Sequence, residues 1–208
     1  LDAKDIRFVE QLGYRIKLLG VAERTETGIE QRVHPTMVPT SWAIAQVMGV
    51  TNAVMLAADA VGELTLVGPG AGGLATASSV LSDLVDIARG ANVPDFGQPV
   101  ATLESAARAP MQRHEGGYYI RLAVRDRPGA AAAIATRMAE NHISLESIVQ
   151  RRPAGTRSGD RAGRPDGTVP VVLITYATTE AAIRSAIEAM MADGHVAEPP
   201  QVIRIERD

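Results

Sequence analysis

Cysteine is absent from this chain of 208 residues. Its absence excludes a disulfide framework, thiolate metal sites and a cysteine nucleophile, and it fits a reducing compartment, so the cytoplasm is the default expectation. Lysine is scarce as well, because only Lys4 and Lys17 are lysines among the 21 basic residues. Chemistry that needs a titratable amine near neutral pH therefore has two candidates, since arginine stays protonated.

An excess of positive charge and a long apolar run are also missing. The 24 acidic and 21 basic side chains give a formal net charge of −3, which provides no general attraction for nucleic-acid phosphates or anionic membranes. No apolar run approaches the roughly 20 residues that span a bilayer, and charges interrupt the opening segment where a signal peptide is apolar. We therefore expect a soluble protein that binds neither nucleic acid nor membrane.

The apolar content of 46% is typical of globular proteins, and the length allows one ordinary core or two small ones. The chain begins with Leu1 rather than Met and enters a periodic segment almost at once, so we expect a part of a larger protein. Residues 91–116 are rich in proline and glycine, which predicts a linker with one short helix around Leu103 to Ala109. The predicted divisions are 1–90, 91–116 and 117–208.

Residues 1–90 predict a mixed or antiparallel sheet with covering helices. The elements are a helix stopped by Gly13, strands over 14–22 and 29–35, a hairpin of strands 52–57 and 63–67, and a helix stopped by Gly90. Pro35 is expected to end its strand. The last helix has one apolar side at helical spacing, formed by Val80, Leu81, Leu84, Val85, Ile87 and Ala88.

Residues 117–208 predict the order strand, helix, strand, strand, helix, strand. The strands cover 119–124, 143–149, 171–176 and a C-terminal segment, and the helices cover 130–140 and 180–193. Thr179 is expected to cap the second helix and Gly194 to end it. This βαββαβ order is that of a ferredoxin-like unit of about 90 residues, so the predicted fold class is α+β.

The glycine-rich run Gly68 to Gly73 lies between a predicted strand and a predicted helix. Glycines there permit a sharp turn and allow backbone N–H groups to approach a phosphate at the helix N-terminus. The alternative is structural, with glycines that pack the helix end against a neighbouring sheet. The run matches neither G-x-G-x-x-G in a βαβ unit nor the P-loop pattern, so a complete nucleotide-binding domain is not expected here.

Two segments flank the first helix of the βαββαβ unit. Asp126-Arg127-Pro128-Gly129 precedes the helix, and free N–H groups at such a junction can hold a small carboxylate. The alternative for this tetrapeptide is a simple turn. Asn141 to Ser144 follows the helix and is equally compatible with a helix stop of no further consequence.

Histidines and an arginine-rich stretch are the remaining candidates. The four histidines show no metal-ligand spacing, so we expect no metal site and interpret them as surface or turn residues; they are His34, His114, His142 and His195. Residues 151–168 contain five arginines, which is compatible with RNA contact. The stretch has no aromatic residue for stacking, so a solvated hairpin loop is the favoured interpretation.

Three sequence blocks in the first part resemble a known family. They are GYRIKLLG at 13–20, VHPT at 33–36 and GPGAGG-x-x-TAS-x-x-x-SD at 68–83, and together they resemble the C-terminal half of the homoserine dehydrogenase catalytic region. The second part, with DRPG at 126–129 and NHIS at 141–144, resembles an ACT domain, which bacterial homoserine dehydrogenases often carry at the C-terminus.

The resemblance implies an oxidoreductase that interconverts L-homoserine and L-aspartate 4-semialdehyde in threonine, methionine and isoleucine biosynthesis. It implies that a Rossmann domain for NAD(P), a catalytic lysine and an aspartate precede this chain, so no catalytic residue is expected here, and Lys4 and Lys17 match other positions. This chain alone should be inactive and should not bind NAD(P) tightly. In the intact enzyme the expected cofactor contacts are Gly70, Ala71, Gly72, Gly73 and Thr76.

The resemblance also implies a homo-oligomer, a dimer or tetramer, that pairs through the catalytic-domain sheet and the ACT domains. An amino acid, expected to be L-threonine as feedback inhibitor, would bind between Asp126, Arg127, Pro128, Gly129 and Ala130 of one copy and Asn141, His142, Ile143 and Ser144 of another. Ala130-Ala131 departs from the larger apolar pair that is usual in the family. The alternative function is a stand-alone amino-acid-sensing ACT protein without catalysis.

Overall fold

The computed structural model describes residues 1–91, 93–94, 96–109, 115–150 and 167–206. The chain forms two compact units, one made of Leu1–Pro39 with Arg108–Asp208 and the other of Thr40–Ala107. In chain order the elements are helix α1 (Ala3–Gln11), strands β1 (Tyr14–Thr25), β2 (Gly28–Pro39), β3 (Thr51–Ala58) and β4 (Gly62–Pro69), helix α2 (Gly73–Ala88), strand β5 (Glu115–Arg125), helix α3 (Ala130–Glu140), strands β6 (Leu145–Gln150), β7 (Thr168–Thr175) and β8 (Thr178–Thr179), helix α4 (Glu180–Ala192) and strand β9 (Gln201–Ile205).

The first unit contains a sheet in the order β1-β2-β9-β5-β7-β6, with the short β8 pairing with β5. Within it, β9, β5, β7 and β6 pair antiparallel and are connected through α3 and α4. The predicted ferredoxin-like βαββαβ unit and the α+β class are therefore confirmed. The order β9-β5-β7-β6 places the first and third strands of the unit at its centre, which explains why β5 and β7 carry most of the buried apolar residues.

Each face of this sheet has its own hydrophobic core because successive strand residues point to opposite faces. On one face, Ile120 and Leu122 pack with the buried side chains of α3 and α4, among them Ile134, Met138 and Ile183. On the other face, the buried cluster comprises Val9, Met37, Tyr119, Val172, Ile174, Ile203 and Ile205. Helix α1 thus covers the face opposite α3 and α4.

Local sequence explains the limits of the helices. Thr179 Oγ1 accepts a hydrogen bond from the Ala182 amide at 3.2 Å, and Gly194 follows α4 with φ +71°, so the predicted cap and stop are both confirmed. Helix α1 begins with a capping box in which Asp2 accepts from the Lys4 amide and Asp5 accepts from the Asp2 amide.

Strand β2 joins the hairpin β1–β2 to the ferredoxin-like unit. It pairs antiparallel with β1 along its whole length and parallel with β9 through Thr36↔Arg204 and Met37↔Ile205. The prediction that Pro35 ends this strand is wrong, since the strand continues to Pro39. Pro35 lies one residue before the pairing with β9 begins, where β2 has a neighbour on one side only, and a proline is tolerated at such an edge.

The second unit contains the antiparallel hairpin β3–β4 and helix α2, as predicted. Helix α2 buries none of its side chains within the described chain, and Leu81 and Ile87 are 62% and 71% exposed. The helix predicted around Leu103 to Ala109 is not formed. A single 3₁₀ turn spans Val100–Thr102 instead, because Pro99 can start a turn, and Arg108 forms an isolated bridge with Ile29.

Candidate functional site

The segment Asp126 to Gly129 connects β5 to α3 in an exposed turn. The Asp126 amide donates to the Gly167 carbonyl at 3.1 Å, and the Arg127 amide donates to the Arg125 carbonyl at 2.8 Å. Gly129 is the N-cap of α3 with φ +88°, a left-handed conformation that a side chain would strain. The turn therefore has a defined backbone shape, and glycine at position 129 is needed for it.

The N-terminus of α3 leaves backbone donors available. The Ala130 amide donates to the Arg127 carbonyl at 3.2 Å, whereas the amides of Ala131 and Ala132 have no hydrogen-bond acceptor among the described residues. Unpaired amides and the helix dipole both favour an anion at this point. Ala130 itself is buried, so its side chain supports the turn from inside.

The segment Asn141 to Ser144 lies at the other end of α3. Asn141 Nδ2 donates to the Arg137 carbonyl at 2.9 Å, and exposed His142 has φ +57°, so this segment ends the helix. Ile143 is buried in the hydrophobic core and only its backbone can take part in a site. Ser144 is exposed, and its carbonyl accepts from the Tyr176 amide at 3.0 Å.

These two segments cannot contact one small molecule within a single chain. Helix α3 has 11 residues and separates them by about 16 Å at 1.5 Å per residue. A site that uses both segments therefore requires two copies of the chain. The structure places each predicted effector residue but does not bring the two sets together, so the effector site remains a prediction.

The glycine loop Gly70 to Gly73 lies in the second unit, between β4 and α2. A Cβ atom at Gly70 would lie 1.9 Å from Asn52 Nδ2, so close packing is one reason for glycine there. Gly72 is the N-cap of α2 with φ +118° and accepts from the Thr76 amide at 3.1 Å. Ala71, Gly73 and Thr76 are exposed.

This loop has the features needed for a contact with a phosphate or other polar group of a dinucleotide. No side chain caps the N-terminus of α2, so its first amides remain available as donors. The first turn of α2 carries no charged residue, so such a contact would rely on the backbone alone. The residues present therefore fit a partial cofactor contact, and they equally serve the packing against Asn52.

His34 differs from the interpretation of the histidines as surface or turn residues. It lies within β2, where Nδ1 is 2.8 Å from Thr36 Oγ1 and Nε2 is 3.2 Å from Arg204 Nη1. Burial and the neighbouring Arg204 guanidinium lower the pKa of His34, so it is neutral near pH 7. His142 lies in a turn as predicted, His195 precedes β9 in a half-buried connection, and His114 lies outside the described residues.

Sequence reasoning missed the polar contacts that surround His34. Arg204 Nη2 donates to Glu180 Oε2, and Arg184 Nη2 donates to Glu180 Oε1 at 3.1 Å. Arg204 is 170 positions from His34 along the chain, and it meets His34 through the β2–β9 pairing. One feature of the sequence could have indicated these contacts. Arg204 is a charged residue within the apolar strand Val202-Ile203-Arg204-Ile205, and such a residue needs a polar partner.

The remaining predictions concern the two lysines, the arginine-rich stretch, a membrane span and a metal site. Lys4 is exposed on α1, and Lys17 lies half-buried on β1, where desolvation and Arg15 lower its pKa. Most of the arginine-rich stretch 151–168, for which RNA contact was the alternative, lies outside the described residues. Across the ranges that the structure describes, no helix could cross a membrane, and no three His, Asp or Glu residues cluster as metal ligands would.

Comparison with known proteins finds two sequence families in the order that the motifs predicted. Residues 1–85 match homoserine dehydrogenase and residues 118–189 match the ACT domain. The chain is 40% identical to a homoserine dehydrogenase of Neisseria gonorrhoeae, over 99% of this chain and 46% of the relative. It is 41% identical to a homoserine dehydrogenase of Pseudomonas aeruginosa, over 100% of this chain and 47% of the relative.

Nearly the whole chain is similar to homoserine dehydrogenases. A solved homoserine dehydrogenase from Thiobacillus denitrificans is 39% identical with a TM-score of 0.84, over 99% of this chain and 46% of that structure. The chain thus spans about half the length of the relatives it matches. Its fold and this similarity agree with the resemblance given by the GYRIKLLG, VHPT and GPGAGG blocks.

Proposed function

We propose that this chain is the C-terminal part of an NAD(P)-dependent oxidoreductase that interconverts L-homoserine and L-aspartate 4-semialdehyde. The observation that carries the proposal is the alignment of nearly the whole chain, at about 40% identity, with homoserine dehydrogenases of two bacteria. The ordered pair of family matches supports the same conclusion. The feedback domain of the enzyme is then the ferredoxin-like unit.

The role of the glycine loop in the intact enzyme would be to close over the cofactor. The nicotinamide cofactor supplies the hydride acceptor when it is bound. The chain's own contribution is backbone donors at the start of α2, around Gly72 and Gly73, with no basic side chain in that turn. The lysine and aspartate that the family uses for proton transfer and substrate positioning are assigned to the preceding half, so the 208 residues alone are inactive.

The proposed effector site lies between the ACT domains of two copies. The α-carboxylate of an amino acid would accept hydrogen bonds from the unpaired Ala131 and Ala132 amides of one copy. Asn141 and Ser144 of the second copy would complete the site, because α3 keeps the two segments about 16 Å apart within one chain. L-Threonine is the expected effector.

The test of the effector proposal is calorimetric titration of the 208-residue chain with L-threonine. L-Homoserine, L-lysine and NADPH serve as comparison ligands. Saturable binding of threonine is expected, together with loss of binding in Gly129→Val, which distorts the turn. Ser144→Ala should weaken binding, whereas Ser79→Ala on exposed α2 should leave it unchanged. Absence of threonine binding in a dimeric sample would overturn the threonine assignment.

The test of the catalytic proposal compares this chain with the product of its complete natural reading frame. The complete protein should reduce NAD(P) in the presence of L-homoserine, and the 208 residues should not. Turnover by the 208 residues alone would contradict the assignment of the catalytic lysine to the preceding half. A complete reading frame that begins near Leu1 would favour the stand-alone amino-acid sensor instead.

A further inference from the structure

A cleft of about 530 Å³ lies in the first unit, beside α4 and over the strands that join β2 to the ferredoxin-like unit. Helix α4 forms one wall, while β2, β9 and β5 form the floor. Neither segment that flanks α3 contributes to the cleft, since none of Asp126 to Ala130 or Asn141 to Ser144 lines it. It is therefore separate from the proposed effector site.

The pairing of three strands determines which side chains form the floor. Tyr118 on β5 pairs with Arg204 on β9, and Arg204 pairs with Thr36 on β2. Directly paired residues point to the same face of a sheet, and so do residues two apart along a strand. Tyr118, Arg204 and His34 therefore point to the same face, and that face is the one covered by α4.

Most of the cleft surface is apolar. Ile183 and Ile187 contribute from α4, Val202 from β9 and Pro35 from β2, and the ring of Tyr118 lies among them. A concave surface that is mainly apolar, with a few polar groups at one end, is typical of small-molecule sites. A ligand that fits here needs an apolar part large enough to contact these side chains.

Charges of both signs lie at the polar end. Arg204 donates to Glu180 and to His34, and Arg184 donates to the other oxygen of Glu180 at 3.1 Å. Glu188 adds a second carboxylate on the α4 wall. The two arginines and the two glutamates carry equal and opposite charge. A zwitterion can therefore pair its carboxylate with the arginines and its ammonium group with the glutamates.

One polar group in the cleft lacks a hydrogen bond of good geometry. The Tyr118 hydroxyl is buried, and although the Arg204 guanidinium lies near it, no described residue meets the geometric requirements of a hydrogen bond with it. A buried hydroxyl without a partner is destabilising and is uncommon in proteins. Burial also raises the pKa of Tyr118, so the hydroxyl keeps its proton and can donate to a carboxylate.

We propose that this cleft binds an L-amino acid with an apolar side chain, at a site separate from the one between ACT domains. The α-carboxylate accepts from Tyr118 and Arg184, the ammonium group contacts Glu180 or Glu188, and the side chain packs on Ile183, Ile187 and Val202. Pro35, from the segment that matches homoserine dehydrogenase, also lines the cleft. A side chain that packs on Ile183, Ile187 and Val202 would then also contact Pro35, so the bound amino acid would contact both segments.

The test is calorimetric titration of the 208-residue chain with L-leucine, L-isoleucine, L-valine and L-methionine, with D-leucine and L-glutamate as comparison ligands. At least one of the four apolar L-amino acids is expected to bind saturably. Tyr118→Phe should weaken that binding about tenfold, the loss expected for one hydrogen bond to a carboxylate. Tyr119→Phe is the matched control, because it removes a hydroxyl from the opposite face of β5 and should leave the affinity unchanged.

The four outcomes are distinguishable. Binding that is weakened by Tyr118→Phe and Arg184→Gln but not by Gly129→Val supports the cleft. Binding that Gly129→Val abolishes and the cleft variants leave intact overturns the proposal and assigns the ligand to the ACT interface. Binding that none of these variants changes also overturns it. No saturable binding of any apolar L-amino acid up to about 10 mM overturns it as well.

Discussion

The carboxylate of Asp5 on α1 accepts a hydrogen bond from Arg121 Nη2 on β5 at 3.1 Å, across 116 positions of the sequence. Asp5 is fully buried, and it also accepts from the Tyr119 hydroxyl at 3.1 Å and from its own capping partner, the Asp2 amide, at 2.8 Å. The same carboxylate therefore caps the N-terminus of helix α1 and connects this helix to β5 by hydrogen bonds. Substitution of Asp5 should therefore report how much the contact between α1 and β5 contributes to the free energy of unfolding.

Asp5→Asn should destabilise the first unit by about 2–3 kcal/mol, because it leaves the Arg121 guanidinium without its counter-ion in a mostly buried place. The partial exposure of Arg121, at 16%, keeps the loss below that of a fully buried pair. Urea unfolding followed by far-UV circular dichroism measures the change. Asp86→Asn, an exposed aspartate on α2, is the control and should change stability by less than about 0.5 kcal/mol. Equal effects of the two substitutions would contradict the role of Asp5.

The contribution of Asp5 should depend on pH in the acid range. Burial alone raises the pKa of Asp5, but the hydrogen bonds from Arg121, the Asp2 amide and Tyr119 outweigh it, so the net pKa is lowered. A folded-state pKa below the unfolded value of about 3.9 gives stabilisation that is complete above that value and is lost as pH falls through the folded pKa. The difference in unfolding free energy between the wild type and Asp5→Asn should thus be constant from about pH 5 to 8. It should shrink below about pH 4, and a difference independent of pH would be inconsistent with this account.

Gly70→Ala should destabilise the second unit, because the new Cβ would overlap the Asn52 side chain. The expected cost is about 1–2 kcal/mol for displacing that side chain. Asn52→Ala should be nearly neutral alone, since Asn52 is exposed, and it should restore most of the stability lost in Gly70→Ala. Thermal unfolding of the two single variants and the double variant measures the coupling. Gly73→Ala, with nothing within 4 Å of its added Cβ, is the control and should be neutral or stabilising. Additive effects at positions 52 and 70 would rule out the contact.

The apolar side of α2 should cause the chain to self-associate. Leu81 is 62% exposed and Leu84 is 58% exposed within the described chain, and exposed apolar area of this kind favours association. Leu81→Lys should shift the sedimentation profile toward smaller species. Ser82→Lys, which adds the same charge to the exposed face of α2 without removing apolar surface, should shift it less. Identical profiles for both variants and the wild type would contradict a role for Leu81.

Local signals were sufficient to predict most elements of the fold. The limits of α4 follow from Thr179 and Gly194, and the βαββαβ order follows from the spacing of apolar residues. Two local predictions were wrong, at Pro35 and at Leu103 to Ala109, because tertiary context decides whether a strand continues past a proline and whether a short polar segment becomes helical. Strand β2 continues past Pro35 because it stays paired with β1, and Arg108 is extended because it bridges Ile29.

The contacts between distant residues were not predicted. Nothing in the local sequence pairs Thr36 with Arg204, or Asp5 with Arg121, since these pairs are separated by more than 100 positions. The cleft beside α4 depends on the first of these pairings and was therefore invisible to motif analysis. The segments at either end of α3, in contrast, were found by their motifs, and their predicted role awaits the titration with threonine.

The parallel pairing of β2 with β9 has a consequence for any attempt to study the ferredoxin-like unit by itself. A shortened chain beginning at residue 115 would leave the backbone N–H and C=O groups of β9 open along one side of the sheet. An open strand of this kind, with Ile203 and Ile205 in its sequence, is a template for adding strands from other molecules. The hairpin β1–β2 therefore protects the edge of β9 from intermolecular strand pairing. We expect the isolated unit to keep its fold but to aggregate more readily than the whole chain.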